Sequence, residues 1–266
     1  MSGFFLYSKI NLYIFIRDSY LKKIMSEIKM PTEEVVLPSK GLLYPEDNVL
    51  SKGVIQIKYM TAKEEDILTN QNYIQKGTVL DKLLESLIVT EGVKVDDLIV
   101  GDKNAALIAA RVLGYGSDYK FTFMGKEQNV NLAELENKYF DESKITKGRN
   151  EFEFELPHSQ NNVTFRILDG HAEKKLNREI EGLKRTGNGT APELTTRLKY
   201  IITSIEGDND QKAVRDFVDN YLLARDSRAL REYIKQVQPD VDLTFRSDSG
   251  EEATIPINLS FFWPDI

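Results

Sequence analysis

The sequence FEFELPHSQNNVTFRI, from Phe152 to Ile167, gives the clearest signal of fold class in this chain. Apolar and polar residues alternate over 152–156 and again over 163–167, on either side of a polar segment. Because a strand points successive side chains to opposite faces, two such runs predict an antiparallel hairpin. One face of this hairpin should be buried and the other wet.

The same alternation occurs at three other places in the chain. It predicts a strand over Val54–Met60, a hairpin over Tyr119–Leu132 with its turn near Gly125, and a last hairpin over Val241–Leu259. All the predicted hairpins are local, so they favour small antiparallel sheets.

Three helices are predicted between the first strand and the Tyr119 hairpin. Thr61 and Glu64 have the spacing of a capping box, in which the carboxylate reaches back to the first amide of the turn. A second helix should start near Thr78. An alanine-rich third is predicted over Lys103–Leu113.

Helical periodicity returns after the Phe152 hairpin. It predicts a polar helix over His171–Leu183, then a helix capped at Thr190 whose apolar stripe extends to Ile205. Two further helices should begin near Asp210 and Asp226.

These elements predict an α+β fold, with mixed helical bundles, small antiparallel hairpins or sheets, and no doubly wound parallel sheet. Residues 184–190, which include the sequence TGNGT, are the best internal boundary. We therefore expect an α+β domain over 31–185 and a helical segment with a terminal β-hairpin and an FFWP tail over 190–266.

Residues 1–30 are interpreted as an N-terminal extension. Gly3–Ile16 is apolar but too short to span a bilayer, and its basic residues follow the apolar run, unlike those of a signal peptide. We expect a misassigned start codon before Met25 or a loose arm; a helix that binds a membrane or a partner is the alternative.

Composition excludes several classes of function. The 266 residues are 41% hydrophobic and 29% charged, as in a globular protein, and the net charge of -7 does not favour nucleic-acid binding. With no cysteine and two histidines, no metal site is expected. We predict no cofactor and no association with a membrane.

No catalytic constellation is visible. His158 falls in a predicted loop and His171 at a strand-to-helix corner, both interpreted as solvent-exposed, although Asp169 could contact His171. Gly187-Asn188-Gly189 lacks the lysine and hydroxyl residue of a phosphate loop. The prediction is a protein that is not an enzyme.

Two apolar segments are candidate partner-binding sites, because large apolar side chains outside regular structure need a surface to cover them. The second segment is interpreted first as docked into the chain's own core, and a partner anchor is the alternative. The candidate residues are Leu42, Leu43, Tyr44, Phe261, Phe262 and Trp263.

Several segments together resemble the T4-type bacteriophage baseplate hub assembly protein family. They are LPSKGLLYP (Leu37–Pro45), MTAKEED (Met60–Asp66), QKGTVLDKLL (Gln75–Leu84), VGDKNAALIAARVLGYG (Val100–Gly116) and the terminal FFWP (Phe261–Pro264). The resemblance covers Pro31–Leu168 well and the last hairpin moderately. Related sequences carry paired cysteines in the first and last hairpins, but this chain has none, so zinc is not expected.

The resemblance implies a late phage protein for virion and tail assembly, acting in the host cytoplasm or in the virion tail baseplate. It implies a non-catalytic assembly factor, or chaperone, whose partners are other baseplate hub proteins. A permanent structural subunit of the hub is the main alternative, and a cell-wall hydrolase carried in the hub is a weaker one. The oligomeric state is left open.

Overall fold

The structure is a computed structural model that describes residues 30–187, 189–247 and 250–262. The chain divides into two units, Met1–Thr32 and Glu33–Ile266. The expected extension over residues 1–30 lies outside the described residues except for Met30, as do Trp263 and Pro264.

The described residues form eight α-helices and nine short strands. The helices are α1 (Ala62–Leu68), α2 (Gln71–Gln75), α3 (Val79–Leu87), α4 (Val100–Tyr115), α5 (Gly170–Thr186), α6 (Glu193–Ile201), α7 (Gln211–Asn220) and α8 (Ala224–Val237). The strands are β1 (Thr32–Val36), β2 (Val54–Lys58), β3 (Asp118–Phe123), β4 (Lys126–Asn131), β5 (Phe152–Glu155), β6 (Asn162–Phe165), β7 (Ile202–Ile205), β8 (Thr244–Arg246) and β9 (Glu252–Thr254).

The strands form four small sheets. β1 pairs with β2, β3 with β4 and β8 with β9, while β5, β6 and β7 make a three-stranded antiparallel sheet. The predicted α+β class is confirmed, and no doubly wound sheet is present in the part of the chain described.

The hairpin of β5 and β6 is confirmed with the expected sidedness. Phe152 lies opposite Phe165, and their rings stack with centroids 5.1 Å apart. Both rings and Val163 are buried, whereas Glu153 and Glu155 are exposed. The alternation therefore predicted which face packs on the core.

The helix predicted from Thr190 to Ile205 is wrong at both ends. α6 begins at Glu193, and the Thr190 hydroxyl donates to the carbonyl of Gly187 (2.8 Å) instead of capping the helix. The chain then leaves the helix after Ile201, and Ile202–Ile205 pairs with β6 as β7. β-branched residues suit a strand, and the open edge of the hairpin offers the hydrogen bonds that decide the outcome.

The capping box at the start of α1 is confirmed. The backbone N–H of Thr61 donates to the carboxylate of Glu64 (2.9 Å), and the Thr61 hydroxyl donates to the same oxygen (2.6 Å). The alanine-rich helix is also confirmed, although α4 starts three residues earlier than predicted, at Val100.

One apolar core runs through the unit that begins at Glu33. Its buried side chains extend from Leu37 to Phe262 and form a single cluster. α4 approaches the C-terminal part of the chain closely at Gly101, where a Cβ atom would lie 2.0 Å from the carbonyl oxygen of Pro239. The predicted division at 184–190 thus falls inside this unit, between the neighbouring helices α5 and α6.

Among the helices of the described residues, none combines the length and the apolar character that crossing a bilayer requires.

Candidate functional site

The first group of candidate partner-binding residues packs inside the protein. Leu43 and Tyr44 are buried in the core, and Leu42 is half-buried. In this structure Leu43 and Tyr44 therefore stabilise the fold and present no surface to a partner, which corrects their assignment as partner-binding residues.

Phe261 and Phe262 are likewise fully buried. The Phe261 ring meets Tyr119 edge-on with centroids 4.8 Å apart, and its carbonyl accepts a hydrogen bond from Nε of Arg111 (2.9 Å). Both phenylalanines therefore follow the self-docking interpretation, and their listing as candidate partner anchors is corrected. Trp263, the third aromatic residue of this group, lies outside the described residues.

A buried polar clamp joins two of the segments that carry the family resemblance. In Leu37–Pro45, Ser39 donates its backbone N–H (2.9 Å) and its hydroxyl (2.6 Å) to the carboxylate of Asp102. Tyr44 donates its hydroxyl to the same carboxylate (2.7 Å) and accepts from the backbone N–H of Ile99 (3.0 Å). The clamp thus fixes the turn-rich segment on the first turn of α4.

The clamp is suited to holding the fold and not to catalysis. Burial raises the pKa of Asp102 even though Ser39 and Tyr44 donate hydrogen bonds that would lower it. Burial also raises the pKa of Tyr44, and the neighbouring Asp102 raises it further. Ser39 and Asp102 are fully buried, so no substrate can reach them in this structure.

The best-formed cluster of ionisable groups is an interhelical ion network of Asp81, Asp96, Lys103, Glu173 and Lys174. Nζ of Lys103 lies 2.8 Å from Asp81 and 3.1 Å from Glu173. Nζ of Lys174 lies 3.1 Å from Asp81 and also binds Asp96. The network ties α3, α4 and α5 together along an open cleft of about 240 Å³.

The network favours the charged forms of Asp81, Lys103 and Lys174. Burial alone would raise the pKa of Asp81, but Lys103 and Lys174 lower it below its usual range. Burial alone would lower the pKa of Lys103, but Glu173 and Asp81 raise it. A general acid or base works best with a pKa near the working pH, so these shifts oppose a role in proton transfer.

The two histidines are solvent-exposed, as predicted. Asp169, which could have contacted His171, instead caps α5 by accepting the N–H of Ala172 (2.7 Å), and His171 Nε2 lies 3.2 Å from Asp97. At His158, the backbone N–H donates to the carboxylate of Asp226 (2.8 Å). His171 therefore takes part in the structure through its ring, and His158 through its backbone.

A bidentate ion pair links α5 to α7. The carboxylate of Glu179 accepts from both terminal nitrogens of Arg215 (2.8 and 2.6 Å) and from the hydroxyl of Tyr200 (2.7 Å). The Arg215 hydrogen bonds, with help from Tyr200, hold the pKa of Glu179 at about 2.

Acid should weaken the fold through this pair. Because the pKa of Glu179 falls from 4.5 to about 2 on folding, its stabilisation is complete above pH 4.5 and is lost as pH falls through the folded value. In urea unfolding, we expect the difference in stability between wild type and Glu179→Gln to be largest above pH 4.5 and to shrink toward pH 2. Glu181→Gln, an exposed carboxylate on the same helix, is the control and should show no such trend; an equal trend in both variants would contradict the prediction.

The described residues contain no group of three or more His, Cys, Asp or Glu side chains that could hold a metal ion.

Several large apolar side chains are exposed, among them Tyr139 (89% exposed), Tyr221 (63%) and Leu223 (50%). Tyr221 and Leu223 lie at the corner between α7 and α8. Exposed apolar groups of this size are typical of protein-binding surfaces when they cluster.

Sequence reasoning missed the clamp, the ion network and several arginines that line cavities. Asp102 lies in the first turn of α4, where the helix dipole favours an acid. The helix alone therefore explains an aspartate at this position, and nothing in the sequence indicates its contact with Ser39.

Comparisons of this chain with family models, with curated proteins and with solved structures found no match.

Proposed function

We propose that this chain is a non-catalytic assembly factor for the baseplate hub of a contractile phage tail. It binds other hub proteins during tail assembly in the host cytoplasm and holds them in an arrangement that can assemble. The proposal starts from the resemblance of the segments Leu37–Pro45 and Val100–Gly116 to that family. The clamp of Ser39, Tyr44 and Asp102 supports it, because it gives both segments a common structural role.

The observation that carries the non-catalytic part is the interhelical ion network. Among the described side chains that line its cleft, Asp81 and Glu173 are engaged by Lys103, and Asp81 also by Lys174. Each of these charged groups is paired with another member of the network. A cell-wall hydrolase would instead need two carboxylates facing a substrate, one with a raised pKa as the acid, whereas the pKa of Asp81 is lowered.

The proposal is tested by mass spectrometry of purified mature tails beside the lysate of infected cells. An assembly factor should be abundant in the lysate and missing from tails, and it should co-purify from the lysate with at least one hub protein. Recovery from tails at a fixed ratio to hub proteins would show a permanent structural subunit and overturn the assembly-factor role. Absence of any hub protein from the co-purified material would overturn the hub assignment itself.

A further inference from the structure

A cavity rich in arginine lies at the surface of this acidic protein. It has a volume of about 230 Å³ and is lined by Arg166, Arg197, Arg231 and Lys235, with Glu232 as the acidic residue among its lining side chains. We call this cavity the arginine groove. Arg166 directly follows β6, Arg197 lies in α6 and Arg231 lies in α8, so the fold brings them together from distant parts of the sequence.

The arginines of the groove have unused donors. Nε of Arg166 is buried and has no hydrogen-bond partner. The charge of Arg197 attracts Glu193, although no hydrogen bond or ion pair joins Arg197 to another described residue. Arg231 donates from Nε to the carbonyl of Ser227 (3.2 Å), and its two terminal nitrogens form no hydrogen bond with a described residue. A buried donor without an acceptor is costly, and gathered arginines repel one another, so a bound anion would relieve both.

Further cationic side chains lie beyond the groove. Arg197 also lines a neighbouring cavity of about 470 Å³, together with Lys76 and Arg178. Neither Lys76 nor Arg178 has an ion pair or a side-chain hydrogen bond within the described part of the chain. Arg197 lines both cavities, so their cationic side chains together could contact more than one anionic group of a ligand.

The arginine groove also has apolar lining residues. Ile167, Leu168, Ile201 and Ile234 line it together with the arginines. An occupant that fits must therefore present carboxylates to the arginines and apolar side chains to these apolar residues. An acidic peptide segment with interspersed aliphatic residues has this chemistry, since arginine binds carboxylates through paired hydrogen bonds.

A peptide fits the lining better than a nucleic acid does. Proteins that bind single strands stack bases on aromatic side chains, and the lining residues of the arginine groove include none. Glu232 in the groove and Glu181 and Glu193 in the neighbouring cavity would also repel a continuous phosphate backbone. Side chains of a peptide can be spaced to avoid these acids.

We propose that the arginine groove binds an acidic, aliphatic peptide segment of a partner protein. Arg166 and Arg231 bind its carboxylates at the deep end, and Arg197 continues the contact toward Arg178. This inference deepens the proposed function, because it names the surface and the chemistry through which a hub protein would be held, and it rests on that function only for the identity of the partner.

The test is fluorescence anisotropy with the full chain and a labelled short peptide of alternating glutamate and leucine. We expect saturable binding that weakens as salt is added, and weaker binding of the same peptide with glutamine for glutamate. Arg231→Gln and Arg166→Gln should each reduce affinity by roughly tenfold, as expected for the loss of one charge-assisted contact.

Arg228→Gln is the matched control, since Arg228 is an exposed arginine on α8 outside the lining of the groove and its replacement changes the net charge equally. Circular dichroism and thermal unfolding of each variant show whether it is folded; Arg231→Lys replaces any variant that is not, and should still weaken binding because lysine cannot pair bidentately. Equal loss of affinity in Arg228→Gln and Arg231→Gln would overturn the proposal that the arginine groove binds the peptide.

Two further outcomes would also overturn the proposal. One is equal affinity for the glutamate and glutamine peptides, and the other is tighter binding of a single-stranded oligonucleotide at the same arginines. The groove and the hub assignment fail separately. If Arg231→Gln still co-purifies with hub proteins as wild type does, the groove is not the surface that binds them, and the proposed function stands. If wild type binds the peptide but co-purifies with no hub protein, the groove stands and the hub assignment is wrong.

Discussion

Replacing Asp102 by alanine should lower the free energy of unfolding by about 3 to 5 kcal/mol. The carboxylate accepts two hydrogen bonds from Ser39 and one from Tyr44, and Ser39 and Asp102 are fully buried. Alanine leaves these donors without an acceptor and without access to water, which is more costly than the loss of the hydrogen bonds themselves. Urea unfolding at neutral pH measures the effect.

Two comparisons distinguish the effect of breaking this clamp from the effect of removing any acidic residue. Asp97→Ala removes a carboxylate that contacts the exposed side chain of His171, and it should cost less than about 1 kcal/mol. Tyr44→Phe removes one donor of the clamp, and in a double-mutant cycle with Asp102→Ala the two losses should not add. A cost below about 1 kcal/mol for Asp102→Ala, or simple additivity, would show that the clamp does not hold the Leu37–Pro45 segment in place.

Replacing Phe261 by alanine should lower the free energy of unfolding by about 3 to 5 kcal/mol. The ring is fully buried between Tyr119 and Phe262, at 4.8 and 5.4 Å between ring centroids. Its removal leaves a cavity and loses two aromatic contacts in a region where the buried Arg111 also binds the backbone. Thermal and urea unfolding measure the loss.

This prediction decides between the two interpretations of the terminal aromatics. A residue of the core destabilises the chain when it is truncated, whereas a partner anchor would leave stability unchanged and abolish binding. Tyr139→Ala is the control, because Tyr139 is 89% exposed and should change stability by no more than about 0.5 kcal/mol. If Phe261→Ala were as stable as Tyr139→Ala, the internal docking of the C-terminus would be wrong.

The outcome for the partner-binding candidates shows the limit of residue type as a signal. Large apolar residues in irregular segments were assigned to a partner, but Leu43, Tyr44 and Phe261 are buried in the chain's own core. The same residue types dominate cores and interfaces, so composition cannot distinguish the two. Solvent exposure distinguishes core residues from interface residues, and it is determined only when the segments pack in the folded chain.

The hairpins and most helices follow from local sequence. Alternation at Phe152–Ile167 predicted β5 and β6 and their buried face, and the Thr61–Glu64 spacing predicted the start of α1. These signals depend on residues a few positions apart, because strand and helix periodicity and capping are local physics. For the same reason the α+β class could be predicted from the sequence.

The tertiary structure alone decided the features that join distant residues. Ile202–Ile205 became a strand because β6 offered an open edge, against a helical periodicity that otherwise continued. Ser39 meets Asp102 across 63 positions, and Arg166 and Arg231 come to line one cavity. Hydrogen bonding and charge act between neighbours in space, and a sequence read along its length does not show which residues those neighbours are.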